Sequence, residues 1–159
     1  MSTVVLRTVA RVVVPLGIVV SFAFFLQGHD LPGGGFVAGV LTASAVALAY
    51  LAYGVEGVEV DVLGRDVRPV GEAADRVVVG DYQSLTAVGL GLVAAVGVAA
   101  IVYGVLAGTP IPFLTQAHVE IALPLYGHVE LASATVFDLG VYAVVVGALL
   151  TTLAVVGGE

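Results

Sequence analysis

G-H-D-L-P-G-G-G-F-V-A-G, residues Gly28 to Gly39, is a polar, flexible stretch set between two long apolar runs. Gly28 has access to the left-handed conformation that ends helices, and Pro32 fixes a turn because its ring sets φ and leaves no N–H to donate. Gly33, Gly34 and Gly35 let the backbone bend sharply and pass close to a neighbour. The stretch therefore reads as the tight crossing between two membrane-spanning helices. Phosphate cradling is a poorer reading, since it calls for a preceding strand and usually a Lys, and the chain has no Lys.

The apolar runs are long enough for that reading. Thr8 to Leu26 crosses a hydrocarbon core of roughly 30 Å at about 1.5 Å per residue. Arg7 and Arg11 sit at its near interface, and Pro15 predicts a packing kink or a hinge one turn inside. Four runs of this kind are expected as helices at roughly 8–26, 35–53, 84–106 and 131–156 in a single membrane domain. A longer, acidic loop spans 54–83 and an outer loop spans 107–130. Arg7 and Arg11 precede an apolar run as in a signal peptide, but further spans follow and no small-residue cleavage site is seen, so this run is expected to stay as the first helix.

Composition agrees. Of 159 residues, 60% are hydrophobic and only 11% charged, well outside the soluble range of about 45–50% apolar. The absence of Cys excludes disulfides, thiolate catalysis and Cys-ligated zinc or iron–sulfur sites. A formal net charge of −7 leaves no basic surface to meet phosphates, so no nucleic-acid partner is expected. The acidic, all-Arg balance fits a salt-adapted protein or drift in a GC-rich genome equally well.

Within the runs, Gly35, Gly39, Ala43 and Ala47 repeat every four residues and lie along one helix face, a seam for close helix packing. Tyr50 and Tyr53 are expected as anchors at the far interface. In the outer loop, H-V-E at His118 and again at His128 places His and Glu two apart, on one face of a strand each. A hairpin there would gather two His and two Glu. Loop His residues are mostly plain surface groups, and no metal site is assigned. Thr135, Asp138 and Tyr142, spaced three and four apart, form one polar stripe on the last helix. Asp138 is the sole acid inside a run, and it reads either as an ion-route residue or as a structural hydrogen-bonding group.

G-H-D-L-P-G-G-G-F between two helices, with His29 and Asp30 at its head, resembles the first hairpin of the B subunit of multisubunit Na⁺/H⁺ antiporters, the Mrp or Mnh family. E-L-A-S-A-T-V-F-D-L-G, Glu130 to Gly140, is similar to the last helix of that same protein type. The likeness is good over Leu6 to Tyr53 and Pro110 to Val156 and poor over Val55 to Asp81. It implies a non-enzymatic subunit, without cofactor, that works alongside other subunits and membrane lipid in a complex exchanging Na⁺ for H⁺. The alternative is the same module inside an ion-translocating membrane-bound hydrogenase or related redox complex.

The fold class expected is an all-α integral membrane protein: four transmembrane helices, short outer loops and one longer acidic cytoplasmic loop. All five Arg fall at positions 7, 11, 65, 68 and 76, on one side of such a chain, which puts both termini in the cytoplasm and the protein in the cell membrane.

Overall fold

The computed structural model of the chain describes residues 4–27, 34–54, 72–106, 118–123 and 127–157. The elements are α1 (Val4–Leu26), α2 (Gly34–Tyr53), α3 (Glu72–Leu106), β1 (His118–Leu123), β2 (Gly127–Ala132) and α4 (Ser133–Gly157). The four helices are long and apolar enough to cross a membrane, over Val4–Leu26, Gly34–Tyr53, Val79–Leu106 and Thr135–Val156. The chain is a multi-pass, all-α membrane protein, with one β-hairpin ahead of its last helix.

Helix ends follow local chemistry. Gly54 closes α2 with φ of 83°, and its N–H donates to the Tyr50 carbonyl at 2.8 Å, the arrangement that ends a helix on a left-handed Gly. Helix α3 begins at Glu72, inside the stretch read from sequence as connection. E-A-A-D-R joins good helix formers to acids near a helix start, so the segment runs on as a charged lead-in to the apolar span from Val79. Residues 28–33 of the crossing motif and 55–71 of the acidic loop lie outside the described residues.

The two H-V-E repeats fall on β1 and β2, paired antiparallel. The register sets Glu120 opposite Glu130, while His118 is opposite Ala132 and His128 opposite Ala122. The two His positions are therefore not cross-strand partners.

In space the main packing order is α1–α2–α4–α3. The inner pair, α2 and α4, has 39% and 28% of its spanning window buried, against 11% for α1 and 6% for α3. Contacts give the directions. Gly35 meets Asp138 and Gly39 meets Tyr142 and Val145, so α2 and α4 run parallel. Gly89 meets Gly140 while Thr86 meets Gly147, so α3 runs antiparallel to α4. The outer faces of α1 and α3 are clothed in exposed apolar side chains such as Val12, Leu16, Phe22, Val88, Leu90 and Val98, suited to lipid or a partner helix.

The small-residue seam of α2 thus meets the chain's own last helix. A Cβ on Gly39 would stand 2.9 Å from Val145 Cβ, and one on Gly35 would strike the Asp138 carbonyl. Ala43 is buried further along the same helix and Ala47 is half-buried. On α4 the second face works the same way, where Gly140 and Gly147 admit α3. Gly91 and Gly97 of α3 have open space instead. Gly39→Leu is expected to destabilise the fold by about 1–3 kcal/mol or more through overpacking, read as a lower melting temperature in detergent, while Gly91→Leu does not lower it. Equal melting of the two variants would refute the seam.

Candidate functional site

Hydroxyl groups inside a span have two outlets, their own helix or a neighbour. Thr8, Ser84, Thr86, Thr151 and Thr152 each donate to the carbonyl four residues back, so they are satisfied within one helix. Ser21 and Thr42 do otherwise. Ser21, only 2% exposed near the C-terminal end of α1, donates its Oγ–H across to the Ala38 carbonyl of α2 at 2.6 Å. Ser21 Oγ also lies 2.6 Å from Thr42 Oγ1, and Thr42 Oγ1 lies 2.9 Å from the Tyr142 Oη of α4.

Counting protons orders this chain. Each hydroxyl has one proton to donate. The Ser21 proton is committed to Ala38, so Thr42 must donate to Ser21, and Tyr142 must donate to Thr42. The sequence of bonds is Tyr142 O–H to Thr42, Thr42 O–H to Ser21, and Ser21 O–H to the Ala38 carbonyl. Hydroxyls from three helices are linked in one line that ends on a backbone carbonyl, and every proton points away from Tyr142. Its oxygen is left with acceptor capacity only.

Beside the chain lies a partly open cavity of about 180 Å³ between α1, α2 and α4. Ser21, Thr42 and Tyr142 line it together with Ile18, Phe22, Phe25 and Leu139, and its wall is almost entirely apolar. The Phe25 ring meets the Tyr142 ring edge-on, centroids 5.6 Å apart at 65°, which holds the phenol in place from the α1 side.

Asp138 is one turn before Tyr142 and half-buried. Because α4 starts at Ser133, this acid stands about 7.5 Å along the helix by a 1.5 Å rise, level with Gly35 near the start of α2. It is a rim group, whereas Thr42 lies roughly 12 Å into α2 by the same measure. Of the stripe read from sequence, Tyr142 is joined to the hydroxyl chain, Asp138 sits at the α2 junction, and Thr135 is half-buried at the entrance of the span. Of the crossing motif, Gly34 and Gly35 are buried at the α2 start. Gly28, His29, Asp30, Pro32 and Gly33 lie outside the described residues.

Ser21 and Thr42 escape sequence reasoning, because a lone Ser or Thr in an apolar run most often bonds its own helix. Tyr50 and Tyr53, expected as interface anchors, also bond neighbouring helices. Tyr50 Oη bonds Tyr82 Oη of α3, and Tyr53 Oη donates to the Arg7 carbonyl of α1 at 3.1 Å.

The family described as "Domain related to MnhB subunit of Na+/H+ antiporter" matches residues 5–151, which includes the inner helix pair and the whole hydroxyl chain. The chain belongs to the MnhB family. It is 37% identical over 158 residues to the Na⁺/H⁺ antiporter B subunit of Bacillus subtilis, covering 99% of this chain and 95% of that one. It is 36% identical over 152 residues to the protein of the same name from Alkalihalophilus pseudofirmus, covering 96% and 90%. The match therefore runs along nearly the full length of both relatives.

The bond direction in this MnhB chain makes its own prediction. Thr42→Val strands the Tyr142 proton without an acceptor, whereas Tyr142→Phe only leaves a lone pair of Thr42 unfilled. Thr42→Val is expected to destabilise by about 1 kcal/mol more than Tyr142→Phe, since an unsatisfied donor costs more than a lost neutral bond. Melting in detergent that ranks the two the other way round would reverse the chain.

Proposed function

We propose that the chain is the B-type membrane subunit of a multisubunit Na⁺/H⁺ antiporter. The observation that carries this reading is the match to antiporter B subunits along essentially the whole chain, joined to an architecture of four spans. It favours the antiporter over a redox complex as the setting. The chain acts as a transport component and depends on the other subunits of its complex. Among the described residues, four spans whose only acids are Asp81 and Asp138, each near a span start, offer no pair of broken helices around a midplane site, the pattern of a self-sufficient carrier.

Orientation follows from charge. Every Arg lies early in α1, between α2 and α3 or in the charged lead-in of α3, which favours both termini in the cytoplasm of a cell-membrane protein. The start of α2, the hairpin and Asp138 then face outward. Asp138, Thr135 and Tyr142 line or flank an ion route on that side, with Asp138 exchanging a proton for a cation at its mouth. A half-buried carboxylate at the end of a span suits this task, because either partner relieves the cost of its charge.

Three measurements test these statements. Single cysteines at Leu31 and Gly71 should label oppositely with an impermeant reagent in intact cells, position 31 being reached and position 71 protected. Vesicles holding this chain alone should show no Na⁺-dependent proton movement, and robust exchange there would sink the dependence on partners. Asp138→Asn keeps the shape of the side chain and loses its charge. The variant complex should assemble normally but exchange less, with an altered pH or Na⁺ dependence. Wild-type exchange under all conditions would leave Asp138 a structural group.

A further inference from the structure

The doubled H-V-E motif has no part in the function proposed above, and the pairing of β1 with β2 gives it a geometry. Faces alternate along a strand, and residues directly opposite one another in an antiparallel pair share a face. Glu120 opposite Glu130, His118 opposite Ala132 and His128 opposite Ala122 therefore all stand on one face of the hairpin. The other face takes Val119 opposite Leu131 and Ile121 opposite Val129. Every ionisable residue of the two strands is on one side, and every branched apolar residue on the other.

The polar face has a two-fold pattern. Glu120 and Glu130 form its central pair, about 5 Å apart at Cβ, and each His is two residues along its own strand from one Glu and diagonal to the other at about 7–8 Å. Like charges directly opposite destabilise a strand pair, so a cation at that centre removes a cost the bare hairpin carries. Each His is paired with Ala, so no bulky residue competes for its corner of the face. We infer that this face binds one divalent transition-metal ion of the zinc type, held by Glu120 and Glu130 together with His118 or His128. Imidazole nitrogen beside carboxylate oxygen is a donor set that zinc accepts, with water as fourth ligand, whereas calcium and magnesium take oxygen alone. The two His positions are about 14 Å apart along the strands, too far to close on one ion, so they are alternative end ligands of one acidic centre. Bound metal joins β1 to β2 and fixes the register of a two-stranded ribbon, a structure that is marginal by itself. Because β2 ends at Ala132 and α4 starts at Ser133, the same ion braces the entry of the last helix.

The test uses the intact complex, purified without a polyhistidine tag and equilibrated with buffered Zn²⁺ or with Co²⁺, whose visible spectrum reports its ligands. Metal content is read against the Glu120→Gln/Glu130→Gln double variant, so that metal held by other subunits cancels. The wild type should hold one further ion per complex and show a cobalt spectrum that the double variant lacks. Glu120→Gln and Glu130→Gln should each weaken binding by at least about tenfold. His118→Ala and His128→Ala should each weaken it only about twofold, because the other end ligand remains, and the double His variant by about tenfold or more. Gln keeps the shape of Glu and relieves the repulsion across the strands, so the Glu variants should assemble as the wild type does. Glu72→Gln, at the start of α3, should change nothing. Equal metal content in the wild type and the double Glu variant would overturn the site, as would binding that needs both Glu and survives the loss of both His.

Discussion

Everything in this fold depends on how closely backbones approach α4. In lipid, hydrophobic burial gives helices no reason to associate, and the drive comes from dispersion contacts that fade within an ångström of separation. Gly35 and Gly39 on one side, and Gly89 against Gly140 with Gly147 against Thr86 on the other, remove the side chains that would hold the axes apart. The last helix is therefore the spine, although it is made last. The chain must cross the membrane three times before the element that joins α2 to α3 exists, so the packing order α1–α2–α4–α3 departs from chain order for a physical reason.

Close approach also sets where polar groups find partners. With α1, α2 and α4 packed tightly, a serine, a threonine and a tyrosine from three helices are linked by contacts of 2.6 and 2.9 Å, and satisfy one another in a place where water is scarce. The same hydroxyls on a looser scaffold would turn back onto their own carbonyls, as Thr151 and Thr152 do. The glycine seam and the hydroxyl chain are thus one device. Loss of the first pulls the second out of register.

Much of this was legible in the residues. The apolar runs announce four spans, the four-residue repeat on α2 announces a packing face, and the crossing motif with the E-L-A-S-A-T-V-F-D-L-G segment points to the B component of the antiporter. The doubled H-V-E announces strands, and these residues lie on β1 and β2. Partner identity was not legible, because helix periodicity says which face packs and nothing about which helix meets it. That is why the α2 seam gave no sign of α4, and why the bonds of Tyr50 to α3 and of Tyr53 to α1 were not foreseen. Ser21 and Thr42 were invisible for a similar reason, since one hydroxyl in an apolar run has the same sequence appearance whether it bonds inward or across. The early start of α3 at Glu72 was masked by charge, which reads as loop until helix propensity is weighed against it.

The parallel course of α2 and α4 has an electrostatic consequence. Both helices begin at the same membrane face, and each start carries about half a positive elementary charge from its aligned peptide dipoles. Side by side, the two create a positive field at that rim without any basic side chain, and all five Arg lie elsewhere in the chain. Asp138 is placed at this junction, level with Gly35. Paired helix starts of this kind favour an acid over a base in the opening turns, and Asp138 stands in the second turn of α4.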